Sequence, residues 1–244
     1  MDIKKLTDML LNSRYVVFFG GAGVSTESNI PDFRSESGIY STIRNYGCPP
    51  EEILSHSFFI AKPEIFYDFY KNQMIYSDAK PNNAHIALAK MEQKGILKAV
   101  ITQNIDGLHQ AAGSREVLEL HGSIYRNYCM KCQKKYDLEY VISCSGAYPV
   151  CDKCDGIVRP DVTLYEESLN MRILNKSVSH IGKADMLIVG GTSLAVYPAA
   201  GLIDYYRGNR LVLINKSSTP YDSRANIVIH DSIGKVLGSV INSI

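Results

Sequence analysis

Five short apolar runs, one of which is interrupted by Lys98, constrain the fold of this chain more than any other feature. They lie at residues 15–19, 97–101, 186–189, 211–214 and 227–229, and polar or glycine residues follow each of them. Uninterrupted apolar runs are typical of strands that are covered on both faces, as in parallel sheets. Helical patterns separate the runs, at residues 3–10, 82–94, 198–207 and 233–241. Strands that alternate with helices predict an α/β fold with a Rossmann-like, doubly wound parallel sheet.

Two stretches break this alternation. Residues 26–77 contain no convincing buried strand and are rich in aromatic residues, which favours a helical insertion. Residues 125–159 hold two cysteine pairs and few large aliphatic residues. We therefore predict a Rossmann-like domain of residues 1–25, 78–124 and 160–244, with the two insertions forming a smaller lobe. A cleft between two lobes is a common place for ligands.

The two cysteine pairs have the spacing of a zinc ribbon. They are Cys129-x-x-Cys132 and Cys151-x-x-Cys154. Each pair can hold one side of a tetrahedral ion, and four thiolates leave no position for water or substrate. We therefore expect one structural zinc ion, with ordinary buried cysteines or a redox pair as the alternatives. Cys48 and Cys144 lie outside the pattern, and we expect them to be packing or surface thiols.

The charge balance disfavours several classes of partner. The 244 residues include 26 Lys and Arg and 25 Asp and Glu, which gives a formal net charge of +1. Such a chain has no strong field toward nucleic acid or anionic lipid, so we expect neither a specific nucleic-acid partner nor a membrane. The longest uncharged run, residues 186–203, contains glycines and a proline and is interpreted as a strand, a turn and a helix start. The first residues lack the apolar stretch of a secretory signal, which favours a cytoplasmic protein. The oligomeric state cannot be read from the sequence.

A glycine turn directly follows the first predicted strand. Residues 20–25 are Gly-Gly-Ala-Gly-Val-Ser, and small residues at this place let backbone N–H groups approach a phosphate. Taken alone, the turn could equally be an ordinary connection between a strand and a helix. The last glycine of the dinucleotide fingerprint is missing, and no acidic residue ends a second strand at the usual distance.

The continuation of this turn resembles the signature of the sirtuins, the NAD-dependent protein deacylases. Residues 21–34 read Gly-Ala-Gly-Val-Ser-Thr-Glu-Ser-Asn-Ile-Pro-Asp-Phe-Arg. Further blocks similar to the sirtuin pattern follow in order, at 102–109 (Thr-Gln-Asn-Ile-Asp-Gly-Leu-His), 119–122 (Glu-Leu-His-Gly), the cysteine quartet, 159–162, 191–201 and 214–215. The resemblance covers nearly the whole chain. It implies a large dinucleotide-binding lobe, a small lobe, and a cleft between them for NAD and an acyl-lysine peptide.

The activity that the resemblance implies is NAD-dependent protein lysine deacetylation. The acyl oxygen of the modified lysine would attack the ribose carbon as nicotinamide departs. A ribose hydroxyl would then attack the resulting imidate, and water would complete the release of free lysine and O-acyl-ADP-ribose. Mono-ADP-ribosyl transfer from the same NAD site is one alternative. A non-catalytic module that senses NAD or binds through its zinc ribbon is another, and the presence of Asn104, Asp106 and His121 disfavours it.

The resemblance also implies roles for individual residues. His121 would be the general base, because an imidazole with an ordinary pKa of about 6.5 accepts a proton at neutral pH. Asn104 would position ribose or water, Asp106 and Ile105 would contact the nicotinamide carboxamide, and Gln103 would contact ribose. Other cofactor-binding residues would be Ala22, Thr26, Phe33, Arg34, Thr192, Ser193, Asn215 and Ile233. Backbone groups of Val162, Thr163 and Leu164 would pair with the substrate by strand addition. His109 is expected to pack or cap.

This chain departs from the sirtuin pattern at several positions. Asn29 stands where the family usually has Gly, and Gly20 where many members have Thr, so we expect the cofactor loop to differ locally. Residues 163–167 read Thr-Leu-Tyr-Glu-Glu, where the family commonly has Val-Phe-Phe-Gly-Glu. Sirtuins that remove acidic acyl groups carry Tyr-x-x-Arg, whereas this chain has Tyr67-x-x-Tyr70. We therefore predict a preference for acetyl or another uncharged acyl group.

Overall fold

The computed structural model describes residues 2–32 and 46–244, and its centre is a six-stranded sheet. The strands lie in the order β3-β2-β1-β7-β8-β9, and all neighbours in this order pair in parallel. Their bounds are β1 Val16–Gly20, β2 Leu97–Thr102, β3 Val117–Glu119, β7 Met186–Gly190, β8 Leu211–Ile214 and β9 Ile227–Ile229. When the six strands of this sheet are numbered by themselves in chain order, their order is 3-2-1-4-5-6, which is that of the Rossmann fold. The predicted α/β class is thus confirmed.

Helices cover both faces of this sheet. The α-helices are α1 Asp2–Leu11, α2 Pro50–Ile53, α3 His56–Ala61, α4 Pro63–Gln73, α5 Asn83–Gln93, α6 Leu108–Ala111, α7 Leu138–Ser143, α8 Met171–Lys183 and α9 Ile233–Ile241. Short 3₁₀ helices lie at Ala22–Val24, Thr26–Ser28, Ala199–Tyr205 and Asp222–Arg224. The predicted helix at 198–207 therefore exists, but it has the tighter 3₁₀ winding.

The uninterrupted apolar runs are explained by burial on both faces of the sheet. All five residues of β1 are buried. Val16 and Phe18 pack with α1, α5 and α9 in one core cluster, whereas Val17 and Phe19 pack with α8 and the Ala199–Tyr205 helix in another. Because successive side chains of a strand point to opposite faces, a strand between two helical layers needs apolar residues at every position.

A second sheet and its own core form beside the first. Three antiparallel strands, β4 Gly122–Cys129, β5 Lys135–Tyr136 and β6 Val158–Val162, lie in the order β5-β4-β6. Aromatic residues from α3 and α4 fill the core between this sheet and the helices; they are Phe58, Phe59, Phe66, Tyr67, Phe69 and Tyr70. β4 and β6 run across the predicted lobe boundaries at 124/125 and 159/160. The two parts of the molecule are thus connected by a continuous pair of strands.

No helix within the described residues has both the length and the apolar character that a membrane crossing requires. The uncharged run at 186–203 consists of β7, a glycine turn and the start of the Ala199–Tyr205 helix, as the sequence predicted.

Gly20 ends β1 next to an aromatic side chain. A Cβ atom at Gly20 would lie 2.6 Å from Cε1 of Phe18 and 3.1 Å from Cγ2 of Val24. Phe18 is fully buried in the sheet core, so its ring cannot move aside freely. The ring of Phe18 therefore leaves no room for a side chain at position 20.

We expect Gly20→Ala to lower the free energy of unfolding by about 1–3 kcal/mol, because the added methyl group overpacks the core against Phe18. Urea unfolding of Gly20→Ala, Phe18→Leu and the double variant measures this. The smaller leucine should relieve the clash, so the double variant should be more stable than the sum of the two single losses predicts. Strict additivity of the two losses would contradict this explanation.

Candidate active site and metal centre

A cleft of about 780 Å³ opens at the carboxyl ends of the central strands and extends to the second sheet. In open α/β sheets, ligands bind at this edge, where the strand order reverses between β1 and β7. Every predicted catalytic, cofactor-binding and substrate-binding residue among the described ones lines this cleft: Ala22, Thr26, Gln103, Asn104, Ile105, Asp106, His121, Val162, Thr163, Leu164, Thr192, Ser193, Asn215 and Ile233. Phe33 and Arg34 lie outside the described residues.

The glycine turn after β1 packs directly on the turn after β7. The N–H of Gly23 donates to the carbonyl of Gly191 at 2.8 Å. A Cβ atom on Gly23 would lie 2.8 Å from Cα of Gly191, which itself has a φ of +60°. The two backbones approach so closely that neither position has room for a side chain, and β7 fixes the place of the turn.

The residues after the glycine turn connect it to the helix α9. Glu27 Oε1 accepts the N–H of Gly234 in the first turn of α9 at 2.8 Å. The Thr26 hydroxyl donates to the carbonyl of Gly23 at 3.0 Å. Asn29 adopts a left-handed conformation with φ of +62°, which asparagine tolerates better than most residues. The departure from glycine at this position thus keeps a backbone conformation that glycine favours.

Three polar side chains form a hydrogen-bonded chain beside this turn. The Asn104 Nδ2 donates to Ser25 Oγ at 3.0 Å, and the Ser25 hydroxyl donates to Asp106 Oδ2 at 2.6 Å. Asp106 Oδ1 accepts the N–H of Leu108 at 2.9 Å. Since Ser25 has a single hydrogen to donate, the direction of the chain is fixed. Nδ2 of Asn104 is used in this chain, which leaves its Oδ1 as an acceptor for a bound molecule.

Sequence reasoning did not select Ser25 as a site residue. It is 1% exposed and joins two segments that are about 80 residues apart in the chain, so its role depends on tertiary contacts. The feature of the sequence that could have identified Ser25 as a site residue is its place at the end of the glycine turn. Burial raises the pKa of the Asp106 carboxyl, whereas the bonds from Ser25 and Leu108 act in the opposite direction.

His121 is held by the backbone of the strand end beside it. Its Nδ1 lies 2.9 Å from the carbonyl oxygen of Gln103. A carbonyl only accepts, so Nδ1 carries the proton and Nε2 keeps a lone pair. Burial lowers the pKa of His121, although the bond to Gln103 works against this shift. The ring is therefore neutral at pH 7 and able to accept a proton.

Gly122, next in the chain, allows a close approach of two backbone segments. It has a φ of +80°, and a Cβ atom there would lie 1.9 Å from the carbonyl oxygen of Asp161. The carbonyl of His121 accepts the N–H of Thr163 at 3.0 Å. The predicted general base is thus tied to the predicted substrate segment.

The predicted substrate segment after β6 is fixed by bonds within the chain. The N–H of Thr163 donates to His121, that of Leu164 to Glu167 at 2.9 Å, and that of Tyr165 to Leu54 at 3.0 Å. Each N–H has one hydrogen, so strand addition at Thr163 and Leu164 would use their carbonyl groups rather than their N–H groups.

The buried Arg159 supports the predicted substrate segment through hydrogen bonds. Arg159 makes two bonds to the Glu167 carboxylate, at 2.7 and 3.0 Å, and also donates to the carbonyl of Val162. His56 Nδ1 lies 2.7 Å from the same carboxylate. Burial alone would raise the pKa of Glu167, but its bonds to Arg159, Leu164 and His56 lower the pKa to about 2. No pattern in the sequence indicated a partner for His56.

His109, which is predicted to pack in the core or to cap a helix, packs in the core. Its ring lies 4.7 Å from that of His85, centroid to centroid, and neither residue lines the cleft. His85 accepts the N–H of Asn82 and so helps to cap α5. Burial lowers the pKa of His109 to about 3 and that of His85 to about 4, so both are neutral at pH 7.

The four paired cysteines converge on one point. Cys129 Sγ lies 3.5 Å from Cys154 Sγ, and Cys132 Sγ lies 3.6 Å from Cys151 Sγ. All four sulfurs lie within 4.8 Å of one another. Thiolates at about 2.3 Å from a tetrahedral zinc ion are about 3.8 Å apart, so the donor set fits zinc.

Neighbouring groups are arranged for thiolate ligands. The N–H groups of Lys131 and Cys132 donate to Cys129 Sγ at 3.3 and 3.4 Å. The N–H of Lys153 donates to Cys151 Sγ at 3.4 Å. Such donors favour negative charge on sulfur. Because all four ligands come from the protein, a zinc ion here would have a structural role.

Comparison with known proteins relates this geometry to one family. The model of the Sir2 family matches residues 21–198. The NAD-dependent protein deacetylase of Clostridium acetobutylicum is 63% identical over 98% of both chains. The protein of the same name from Clostridium tetani is 61% identical over 100% of this chain and 99% of its own length.

Solved structures give the same result. A Sir2 structure with a p53 peptide and NAD⁺ is 41% identical in sequence and has a TM-score of 0.89. The comparison covers 100% of this chain and 98% of that chain. A Sir2 structure bound to a propionylated peptide is 40% identical, with a TM-score of 0.88 and the same coverage.

We expect purified protein to contain one zinc ion per chain, measured by elemental analysis. Cys129→Ser should lose this ion and lower the melting temperature by on the order of 10 °C, because the free energy of metal binding contributes to folding. Cys144→Ser is the matched control, since Cys144 is a free cysteine outside the cluster. A metal-free Cys129→Ser variant with unchanged melting temperature would contradict a structural role for zinc.

Proposed function

The chain belongs to the Sir2 family and is an NAD-dependent protein deacetylase, and on that premise we propose which residues bind its substrates and carry out the reaction. The reaction transfers the acyl group of an acyl-lysine to ADP-ribose and releases nicotinamide and free lysine. The observation that carries the proposal is the position of His121 in the cleft, with its Nδ1 proton directed to Gln103 and its Nε2 unprotonated.

His121 acts as the general base. Its Nε2 accepts a proton from a ribose hydroxyl, which increases the nucleophilicity of that oxygen toward the acyl carbon. Two features support this role: burial keeps the ring neutral at pH 7, and the bond to the Gln103 carbonyl holds one tautomer. The close packing of Gly122 on Asp161 limits the movement of His121.

Asn104 and Asp106 orient the reacting groups, and Ser25 positions both of them. The Asp106 side chain accepts a hydrogen bond from the nicotinamide carboxamide, and the neighbouring Ile105 contacts the same group. Asn104 uses its Oδ1 to hold a ribose hydroxyl or water. The chain of bonds from Asn104 through Ser25 to Asp106 supports these roles, because it fixes the rotamers of both side chains.

NAD supplies the ribose carbon that accepts the acyl oxygen, with nicotinamide as the leaving group. The turn with Ala22 and Thr26, and the polar residues Thr192 and Ser193 after β7, bind its phosphate and ribose groups. Gln103 binds ribose and is itself held by its bond to Thr192 Oγ1 at 3.1 Å. Asn215 and Ile233 contact the adenosine half. Arg34 and Phe33 complete this binding site in the proposal, at the phosphates and at the nicotinamide end.

The acyl-lysine peptide binds between the two parts of the molecule. Carbonyl groups of Val162, Thr163 and Leu164 accept from its backbone, and the bonds from Arg159 to Glu167 support this segment. We assign residues 26–77 and 125–159 to a small lobe that carries this side of the cleft. The thiolate ligands require a reducing compartment, which favours the cytoplasm.

We expect His121→Ala to lower kcat/KM for an acetyl-lysine peptide by on the order of 100-fold or more, because the variant has no general base. Nicotinamide, free lysine and O-acetyl-ADP-ribose are measured together. His180→Gln is the control, since His180 bonds Tyr15 outside the cleft and the substitution should leave the rate unchanged.

The pH profile provides a second test of His121. Burial lowers its pKa, so kcat/KM should fall with acid at an apparent pKa below the ordinary value of 6.5. Nearly full activity in His121→Ala, with the same acidic limb, would assign the general base to another group.

We expect an acetyl-lysine peptide to react at least about ten-fold faster than a succinyl-lysine peptide of the same sequence, as kcat/KM. Among the described residues that line the cleft, six are Asp or Glu, and Lys216 is the only Lys or Arg. An acidic acyl group would bring a further negative charge into this environment. A faster reaction of the succinyl peptide would show that this charge balance does not govern the acyl preference.

A further inference from the structure

Asn82 lies directly before α5 and joins this helix to the segment after β1. Its Oδ1 accepts the N–H of Ala84 at 2.9 Å and so caps the helix. Its Nδ2 donates to the carbonyl of Val24 at 2.8 Å and to Ser28 Oγ at 2.9 Å. These two partners are 58 and 54 positions away in the chain. Neither the cofactor roles nor the general-base mechanism uses Asn82.

The orientation of the Asn82 amide is fixed by its partners. The N–H of Ala84 can only donate and the carbonyl of Val24 can only accept, so a flipped amide would lose both bonds. The backbone N–H of Asn82 donates to Nδ1 of the buried His85 at 3.3 Å, which completes a capping box. Both hydrogens of Nδ2 are therefore directed at the segment after β1.

The helix α5 gives these bonds a firm support. Its residues Ala84, Ala87, Leu88 and Met91 are buried in the core cluster on one face of the main sheet, together with residues of α9. Close-packed core elements move little relative to one another. Asn82 consequently ties the segment after β1 to the core of the larger sheet.

The segment that Asn82 holds faces the cleft with its other side. Among the described residues, Ser25 and Thr26 line the cleft, whereas Val24, Ser28 and Asn82 do not. Residues 26–28 form a single 3₁₀ turn. The bonds from Asn82 hold positions 24 and 28, which lie two residues before and two residues after Thr26. A shift at either position would therefore move Thr26 in the cleft.

The other bonds of this segment do not replace those of Asn82. Ser25 bonds to residues that follow β2, and Glu27 bonds to the first turn of α9. Neither of them bonds to the carbonyl of Val24 or the hydroxyl of Ser28. Because a carbonyl that loses its donor inside a protein costs free energy, removal of the Asn82 amide would displace the segment.

We propose that Asn82 is a positioning residue of the cofactor site. It holds residues 24–28 in the arrangement that binds NAD, and so raises the affinity for NAD without touching it. This inference rests on the proposed role of Thr26 in binding NAD. Bound NAD would hold the same segment from the cleft, so the effect of Asn82 belongs to cofactor binding rather than to the chemical step.

The test compares Asn82→Asp with Asn83→Asp. Aspartate is as good an N-cap residue as asparagine, so Asn82→Asp keeps the cap of α5. It places an oxygen without hydrogens against the Val24 carbonyl, so the KM for NAD, and the Kd for NAD from calorimetry, should rise about ten-fold. The kcat at saturating NAD and the KM for the acetyl-lysine peptide should stay within about two-fold. Asn83→Asp places the same charge on an exposed neighbour and should change none of these constants.

Asn82→Ser separates loss of the amide donors from the new charge, and it decides where Asn82→Asp does not fold. Serine is also a favoured N-cap residue, so the KM and Kd for NAD should rise about three-fold or more while the helix stays capped. A Kd for NAD that is unchanged in the variants at position 82 would overturn the inference. An equal rise in Asn83→Asp would also overturn it, because the effect would then come from charge alone. Equal rises in the KM values for NAD and for the peptide would overturn it as a general loss of structure.

Thr26→Ala distinguishes failure of this inference from failure of the proposed cofactor site. If Thr26→Ala raises the KM for NAD and neither variant at position 82 does so, the cofactor site stands and the role of Asn82 is refuted. If none of these variants changes the KM for NAD, the assignment of Thr26 to NAD is refuted together with the inference.

Discussion

The cleft depends on the hydrogen bonding of β1 to β2 on one side and to β7 on the other. All three strands run in parallel, so their carboxyl ends meet at one edge. The glycine turn, the polar residues 103–106 and the turn at Gly191 each follow one of these ends directly. Their contacts, from Gly23 to Gly191 and from Gln103 to Thr192, follow from this arrangement. A different strand order would separate residues that must act on one ligand.

The metal centre and the candidate general base are linked through a second strand pair. β4 begins at Gly122, directly after His121, and ends at Cys129, the first metal ligand. Its partner β6 leads from Val158 into the substrate segment. The four-cysteine cluster lies at one end of this pair and the candidate general base at the other. A closed metal site can therefore support catalysis mechanically without contacting either substrate.

The sequence predicted features that depend on local patterns and missed those that depend on distant contacts. Continuous apolar runs predicted the parallel sheet because both faces of β1 are covered, and cysteine spacing predicted the metal cluster because its ligands lie in two tight turns. The role of Ser25 could not be predicted in this way, because its partners Asn104 and Asp106 follow another strand. The same holds for the pair Arg159 and Glu167. The short β3 escaped because its sequence, Val-Leu-Glu, is not an uninterrupted apolar run, unlike the equally short β9.

The bond between Glu27 and the N–H of Gly234 joins residues that are 207 positions apart in the chain. During synthesis, the ribosome completes the cofactor turn early and the helix that holds it much later. The bond between Glu27 and Gly234 cannot form until the first residues of α9 have left the ribosomal exit tunnel. Long-range contacts of this kind slow folding, so a nascent chain passes through nearly its whole synthesis without a finished NAD site.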